Sequence, residues 1–198
     1  MLKISTMTGK LVDIPAINTN TLTNEYCQKM HSSNARCICT ECYSFAMLEG
    51  SRKNCAPAWE KNSILLKSNI LKELPQFNSL YVRFHGHGEL INETHFINYL
   101  LITEHNPKTT FSLYTKRHKL VKKVLETREK PQNLILVYSN PIKDRVTDKK
   151  PQYFDKVFNT VTQENAQDNC TGRKCIECLA CYQFDGDSVL VERVKKRA

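Results

Sequence analysis

Nine cysteines carry the most specific chemistry in this chain, and they fall in two groups. Cys170, Cys175, Cys178 and Cys181 sit within twelve residues near the end, with spacings of x4, x2 and x2. The x4-then-x2 run matches plant-type ferredoxin ligands and the x2-x2 run matches bacterial ones, because tight loops let successive thiolates wrap one iron–sulfur cubane. Structural zinc prefers two CxxC knuckles joined by a longer linker, so zinc is the rival here rather than the first choice. The other group, Cys27, Cys37, Cys39, Cys42 and Cys55, is less regular. Cys39 and Cys42 form a CxxC pair, to which Cys37 or Cys27 can add a third ligand. Three cysteines leave one iron open to a substrate or cofactor, whereas four close the site. Zinc competes more strongly at this first group. Both groups can also act only as staples, since a bound metal supplies folding energy without any reaction.

The stretch "VRFHGHGEL" is the second concentration of reactive side chains. Gly86 and Gly88 let the backbone approach a ligand closely and adopt positive φ. Arg83, His85, His87 and Glu89 surround them and are the candidate catalytic groups, joined by Lys116 further along. Strand alternation predicts that Arg83 and His85 share a face that excludes Phe84. Lys116 and Arg117 offer cations for a carboxylate or phosphate. Ser139 and Asn140 offer donors and acceptors for a sugar or amide. Gly86, Gly88, Glu89, Ser139 and Asn140 are therefore the expected cofactor-binding set. A tight strand-to-helix turn with Glu89 near a helix start is the plain alternative for residues 85–89. His31, His95, His105 and His118 stand apart and receive no role.

The elements that must position these groups are legible in the middle of the chain. Helical spacing runs over 56–74, 92–105 and 117–129, and strand patterns over 79–84, 109–115 and 133–139. The alternation predicts a β-α-β-α-β core with a parallel sheet and right-handed crossovers. Ligands of such sheets sit outside the carboxyl ends of the strands, which selects 85–89, 115–117 and 139–141. Two further strands are expected within "YFDKVFNTV" and "SVLVER". A single domain over 1–198 follows, divided into a cysteine-rich segment (1–55), the β/α core (56–150) and a C-terminal cysteine segment (151–198).

Composition restricts the setting. No apolar run approaches the length of a membrane span, and the start lacks the pattern of a secretory signal. A reducing cytoplasm is expected, where clustered cysteines serve metals or catalysis rather than disulfides. The formal charge of +9 suits nucleic-acid or phosphate partners, although dispersed lysines and the basic tail account for most of it.

The ordered combination is similar to a known family. A cysteine loop ending "CY", a strand ending R-x-H-x-x-G-[DE], strands ending "YTK" and "S", and a terminal C-x4-C-x2-C-x2-C together resemble the phage protein family called gene product eighty-eight, from about Cys27 to Tyr182. More distantly, the chain resembles radical S-adenosylmethionine enzymes. That resemblance implies a partial, truncated parallel β/α barrel with an N-terminal cysteine loop holding a [4Fe–4S] cluster with one open iron. It makes "GHGEL" the counterpart of the box that binds the methionine end of S-adenosylmethionine, and the C-terminal cysteines an auxiliary cluster. The spacing of Cys37, Cys39 and Cys42 departs from that superfamily's CxxxCxxC. The expected activity is a phage-encoded, iron–sulfur redox or radical-type enzyme of the host cytoplasm, with one or two clusters and an electron donor or small-molecule substrate. The alternative is a metal-stapled basic module that binds nucleic acid or a host protein.

Overall fold

Short apolar blocks separated by amphipathic helices build one seven-stranded sheet in the computed structural model, which describes residues 1–163 and 168–194. The last four residues of the basic tail lie outside the described residues. The strands are β1 (Ile4–Ser5), β2 (Ala16–Ile17), β3 (Tyr81–Phe84), β4 (Thr110–Thr115), β5 (Leu134–Ser139), β6 (Lys156–Val161) and β7 (Val189–Arg193). Their spatial order is their sequence order. β1 pairs antiparallel with β2, and every later neighbour pairs in parallel. The helices are α1 (Glu25–His31), α2 (Tyr43–Glu49), α3 (Ala56–Ser68), α4 (Glu93–His105), α5 (His118–Leu125) and α6 (Cys175–Cys178). The expected β-α-β-α-β core is β3-α4-β4-α5-β5, and β6 and β7 are the two further strands. No helix among the described residues is long and apolar enough to cross a membrane.

Each face of the sheet has its own cover. Val82, Phe84, Phe111, Leu113, Leu134 and Leu136 bury against Phe96, Tyr99 and Leu100 of α4 and Val121 and Val124 of α5. Phe84 stacks between Tyr99 and Phe111 at ring-centroid distances of 4.0 and 4.9 Å. Burying an aromatic of this size stabilises by about 1.5–3 kcal/mol. On the opposite face, Ile135, Val137 and Leu190 pack with Tyr114, Phe158 and Cys181. The C-terminal cysteine segment is thus part of the fold's second layer. At the β7 edge, Asn169 takes the place of a neighbouring strand: its amide donates to Val189 O, its oxygen accepts from Val191 N, and Cys170 N bonds Val191 O. Exposed ladder groups at a sheet edge invite foreign strands, and this pairing blocks that.

The structure differs from the sequence reading in three places. Residues 1–55 are more than a cysteine loop, because β1 and β2 extend the same sheet as the β/α core. Helical periodicity predicts 117–129 as one helix, but α5 stops at Leu125. It also predicts a helix to residue 74, but α3 stops at Ser68. There Asn98 of α4 donates to Leu66 O and Asn69 O and accepts from Leu71 N, so the chain leaves the helix onto a ready-made partner. Asn98→Ala leaves these backbone groups unpaired. We expect it to lower stability by about 3 kcal/mol in urea unfolding, since each buried orphan costs about 1–3 kcal/mol.

Candidate functional site

The carboxyl ends of β3, β4 and β5 lie side by side in parallel register. The chain leaving β3 is held by the chain leaving β2: His85 N donates to Ile17 O, His87 N to Asn18 Oδ1, and Thr19 N to His87 O. This close approach explains both glycines. A Cβ on Gly86 would meet the Met7 side chain at 2.8 Å, and one on Gly88, which has φ 101°, would meet Thr19 Oγ1 at 2.0 Å.

Glu89 is buried and accepts three hydrogen bonds, from Leu90 N (2.8 Å), Thr115 Oγ1 (2.5 Å) and Lys116 N (2.9 Å). It ties the exit of β3 to the exit of β4. Lys116 Nζ donates to Ser139 Oγ at 3.1 Å, which joins the exit of β5 to the same set. Asn140 turns inward instead. Its amide donates to Arg145 O and Asn159 Oδ1, and its oxygen accepts from Ile142 N, so it braces the loop after β5. Arg117 donates to the Leu90 and Ile91 carbonyls and lies 5.1 Å over the Tyr26 ring.

The first cysteine group is docked onto this edge. Asn24 caps α1 by accepting from Tyr26 N and Cys27 N, and its amide donates to Glu89 O. One side chain therefore starts the helix that carries Cys27 and fixes it beside Glu89. Cys39 lies within, and Cys42 ends, a 3-10 turn, Ile38–Glu41, whose Ile38 N bonds Pro141 O and whose predecessor Cys37 bridges Ile142. Tyr43 O–H donates to the Gly86 carbonyl. Burial alone lowers the Lys116 pKa, but the fields of Cys39, Glu89, Cys42 and Cys27 outweigh it and push it up to about 12. Burial drives the Cys27 thiol well above its ordinary range and the Cys39 thiol up to about 12. Cys55 immediately precedes α3.

The second group lies against the other face of the sheet. Tyr114 O and Cys181 Sγ are 2.7 Å apart, and the Arg83 guanidinium lies 3.3 Å over the Tyr114 ring. Lys10 Nζ and Arg173 Nη2 each come within 3.8 Å of a sulfur, on Cys170 and Cys178. Burial pushes the Cys175 thiol up to about 11, against the pull of Arg83. All nine cysteines are free of disulfides. Among the described residues, no three His, Cys, Asp or Glu side chains converge on a point that can hold a metal ion.

The histidines go elsewhere. His85 has φ 62°, which breaks the strand alternation. Its ring therefore leaves the face of Arg83 and packs 5.2 Å from both His95 and Tyr99, the partner of Phe84. Both ring nitrogens of His85, His95 Nε2 and Tyr99 Oη are buried without hydrogen-bond partners. His87 stacks on Trp59 at 4.5 Å and its Nδ1 contacts Ser44 Oγ at 3.0 Å. Sequence reasoning passed over Tyr114, Lys10, Arg173 and His95. Only His95 left a signal, its i,i+4 spacing from Tyr99 on the buried side of α4.

The architecture and site define a mixed α/β protein with a mostly parallel, sequentially ordered sheet, whose carboxyl edge and one face carry separate thiol groups beside cationic side chains. The chain belongs to the Gene product 88 family, whose model matches residues 3–197. No curated protein and no solved structure matches it.

Proposed function

We propose that this chain is an iron–sulfur redox protein whose reactive edge is formed by Cys27, Cys39 and Cys42 with Lys116, and whose C-terminal cysteines hold a second cluster. The observation that carries the reading is half-buried positive charge facing thiols. Arg83 is half-buried with its Nε buried and unpartnered, and among the described residues no carboxylate forms an ion pair with it or with Lys116, although the Glu89 field reaches Lys116. An isolated buried charge is very costly unless an opposite charge compensates it. Protonated thiols supply no such charge, whereas as thiolates Cys39, Cys42 and Cys27 raise the Lys116 pKa. The same thiols ligating metal are thiolates, and metal binding releases their protons. The donor set therefore fits an anionic thiolate-bound group at each place.

Iron–sulfur is favoured over a lone zinc ion. Four sulfurs around one tetrahedral zinc lie only about 3.8 Å from each other, given Zn–S bonds of about 2.3 Å. The thiols here are grouped without converging in that way. The C-x4-C-x2-C-x2-C spacing, whose tight loops let successive thiolates wrap one cubane, is what favours the cluster. Bound at the edge, such a group supplies one-electron chemistry and an open coordination position. The chain's own residues then divide the work. Lys116 presents a cation beside Ser139, and Tyr43 closes the loop over Gly86. Glu89 spends both oxygens on the exits of β3 and β4, which supports a redox site over one that binds S-adenosylmethionine through this carboxylate. The sequential strand order, and the Lys10–Glu192 pair linking the segment before β2 to β7, support a partial-barrel reading. A small-molecule substrate at the edge and a one-electron donor are the partners proposed, in a reducing cytoplasm.

Anaerobic purification followed by iron and sulfide counting, absorbance and EPR tests this. Brown protein with about eight iron atoms supports two cubanes. A colourless protein with stoichiometric zinc overturns the reading. Cys42→Ala and Cys178→Ala are each expected to remove about half of the iron, because each deletes a ligand from a different group.

A further inference from the structure

The surroundings of the two thiol groups differ in the donors that reach sulfur. The edge group has one half-buried cation, Lys116, with the Glu89 carboxylate nearby. The C-terminal group has a cation or a hydroxyl at three of its four sulfurs. Lys10, whose charge Glu192 balances, reaches Cys170, Arg173 reaches Cys178, and Tyr114 O–H meets Cys181 Sγ. Arg83, stacked on the Tyr114 ring, lies behind the last contact. Tyrosine and thiolate can share only one proton, and with Cys181 as a thiolate ligand the hydroxyl is the donor. Hydrogen bonds to sulfur and net charge are two of the terms that set an iron–sulfur potential. The donors at sulfur favour the reduced form here, because an added electron raises the negative charge that they stabilise.

Resting on the iron–sulfur reading above, we propose that the C-terminal cysteines hold the electron-accepting centre of the pair, and that Tyr114 and Lys10 are positioning residues that set its potential. Reduction adds one electron to the oxidised cluster and breaks no bond. In the test the electron comes from dithionite.

The test uses full-length protein carrying Cys42→Ala, so that only the C-terminal signal is read. Tyr114→Phe and Lys10→Met are each added to it. Tyr114→Phe keeps the ring under Arg83 and removes only the hydroxyl, so the fold is retained. EPR-monitored titration is expected to show the oxidised-to-reduced ratio at a fixed potential rising about tenfold in each variant, equivalent to about 59 mV for one electron. An unmoved midpoint in both variants, with iron and sulfide intact, overturns this assignment and leaves the iron–sulfur reading standing. Absence of iron and sulfide from the Cys42→Ala parent overturns both.

Discussion

Gly88→Ala is expected to cost about 3–5 kcal/mol, the largest effect of any single added methyl in the chain. Two penalties combine. Gly88 has φ 101°, a backbone region that L side chains rarely adopt, and forcing it costs about 1–2 kcal/mol. The new Cβ would then stand 2.0 Å from Thr19 Oγ1 and 2.8 Å from Thr19 O. The hydroxyl can rotate away but the backbone carbonyl cannot, and overpacking of this kind costs about 1–3 kcal/mol more. Relief would require the β2 and β3 exits to part, breaking the Thr19 N to His87 O bond that aligns Glu89. With an urea slope of about 2 kcal/mol per molar, the unfolding midpoint should fall by about 2 M. Gly9→Ala is the control: its φ is 65°, but nothing lies within 4 Å of its added Cβ, so only the backbone penalty applies. Equal losses in the two variants would show that the close approach at Thr19 does not matter.

The parts of this fold that follow the usual periods can be read from sequence. The apolar strands β3, β4 and β5 and the helices α4 and α5 alternate as a parallel sheet requires, so the edge at 85–89, 115–117 and 139–141 can be located. What periodicity misses are features set by single contacts. β2 is two residues long and exists because Ala16 and Ile17 pair with Arg83 and Phe84. No two-residue strand has a pattern of its own. Asparagines behave similarly. Asn24, Asn98 and Asn169 carry no periodic signal, yet each serves as a backbone partner that starts a helix, ends one or closes an edge, and Asn140, expected to bind a cofactor, braces a loop. His85 shows the limit at the site itself. Alternation places it with Arg83, but a positive φ at the strand end turns it toward α4. The two thiol groups were visible as spacing, whereas their neighbours Tyr114, Lys10 and Arg173 come from distant segments that no local pattern connects.

Acidification below about pH 6.5 should unfold the protein through its buried histidines. Burial is the leading cause in each case. His85 is pushed down to about 3, with Arg83 and Lys116 assisting and the Tyr114 carbonyl opposing. His87 is pushed down to about 4, with Arg52 adding to burial. His95 lies well below its ordinary value, with His85 adding to burial. In the unfolded chain each returns to about 6.5. Between the folded and unfolded values the unfolded chain binds more protons, so lowering pH draws the equilibrium toward it. The stabilisation is therefore complete above pH 6.5 and is lost progressively as pH falls toward 4 and then 3. Each histidine contributes a slope of up to about 1.4 kcal/mol per pH unit, so three together remove about 3–5 kcal/mol between pH 6.5 and 5. That is a large share of a typical stability of about 5–15 kcal/mol. The geometry makes this hard to escape, because the His85 and His95 rings pack against each other and Tyr99, and no carboxylate among the described residues is paired with either. Urea unfolding at pH 7, 6 and 5 measures the slope, in a range chosen to stay above most carboxylate titrations. His85→Leu should remove about a third of it while keeping the ring contacts apolar. A stability that stays flat from pH 7 to 5, or a slope unchanged by His85→Leu, would show that these rings are not held neutral by the fold.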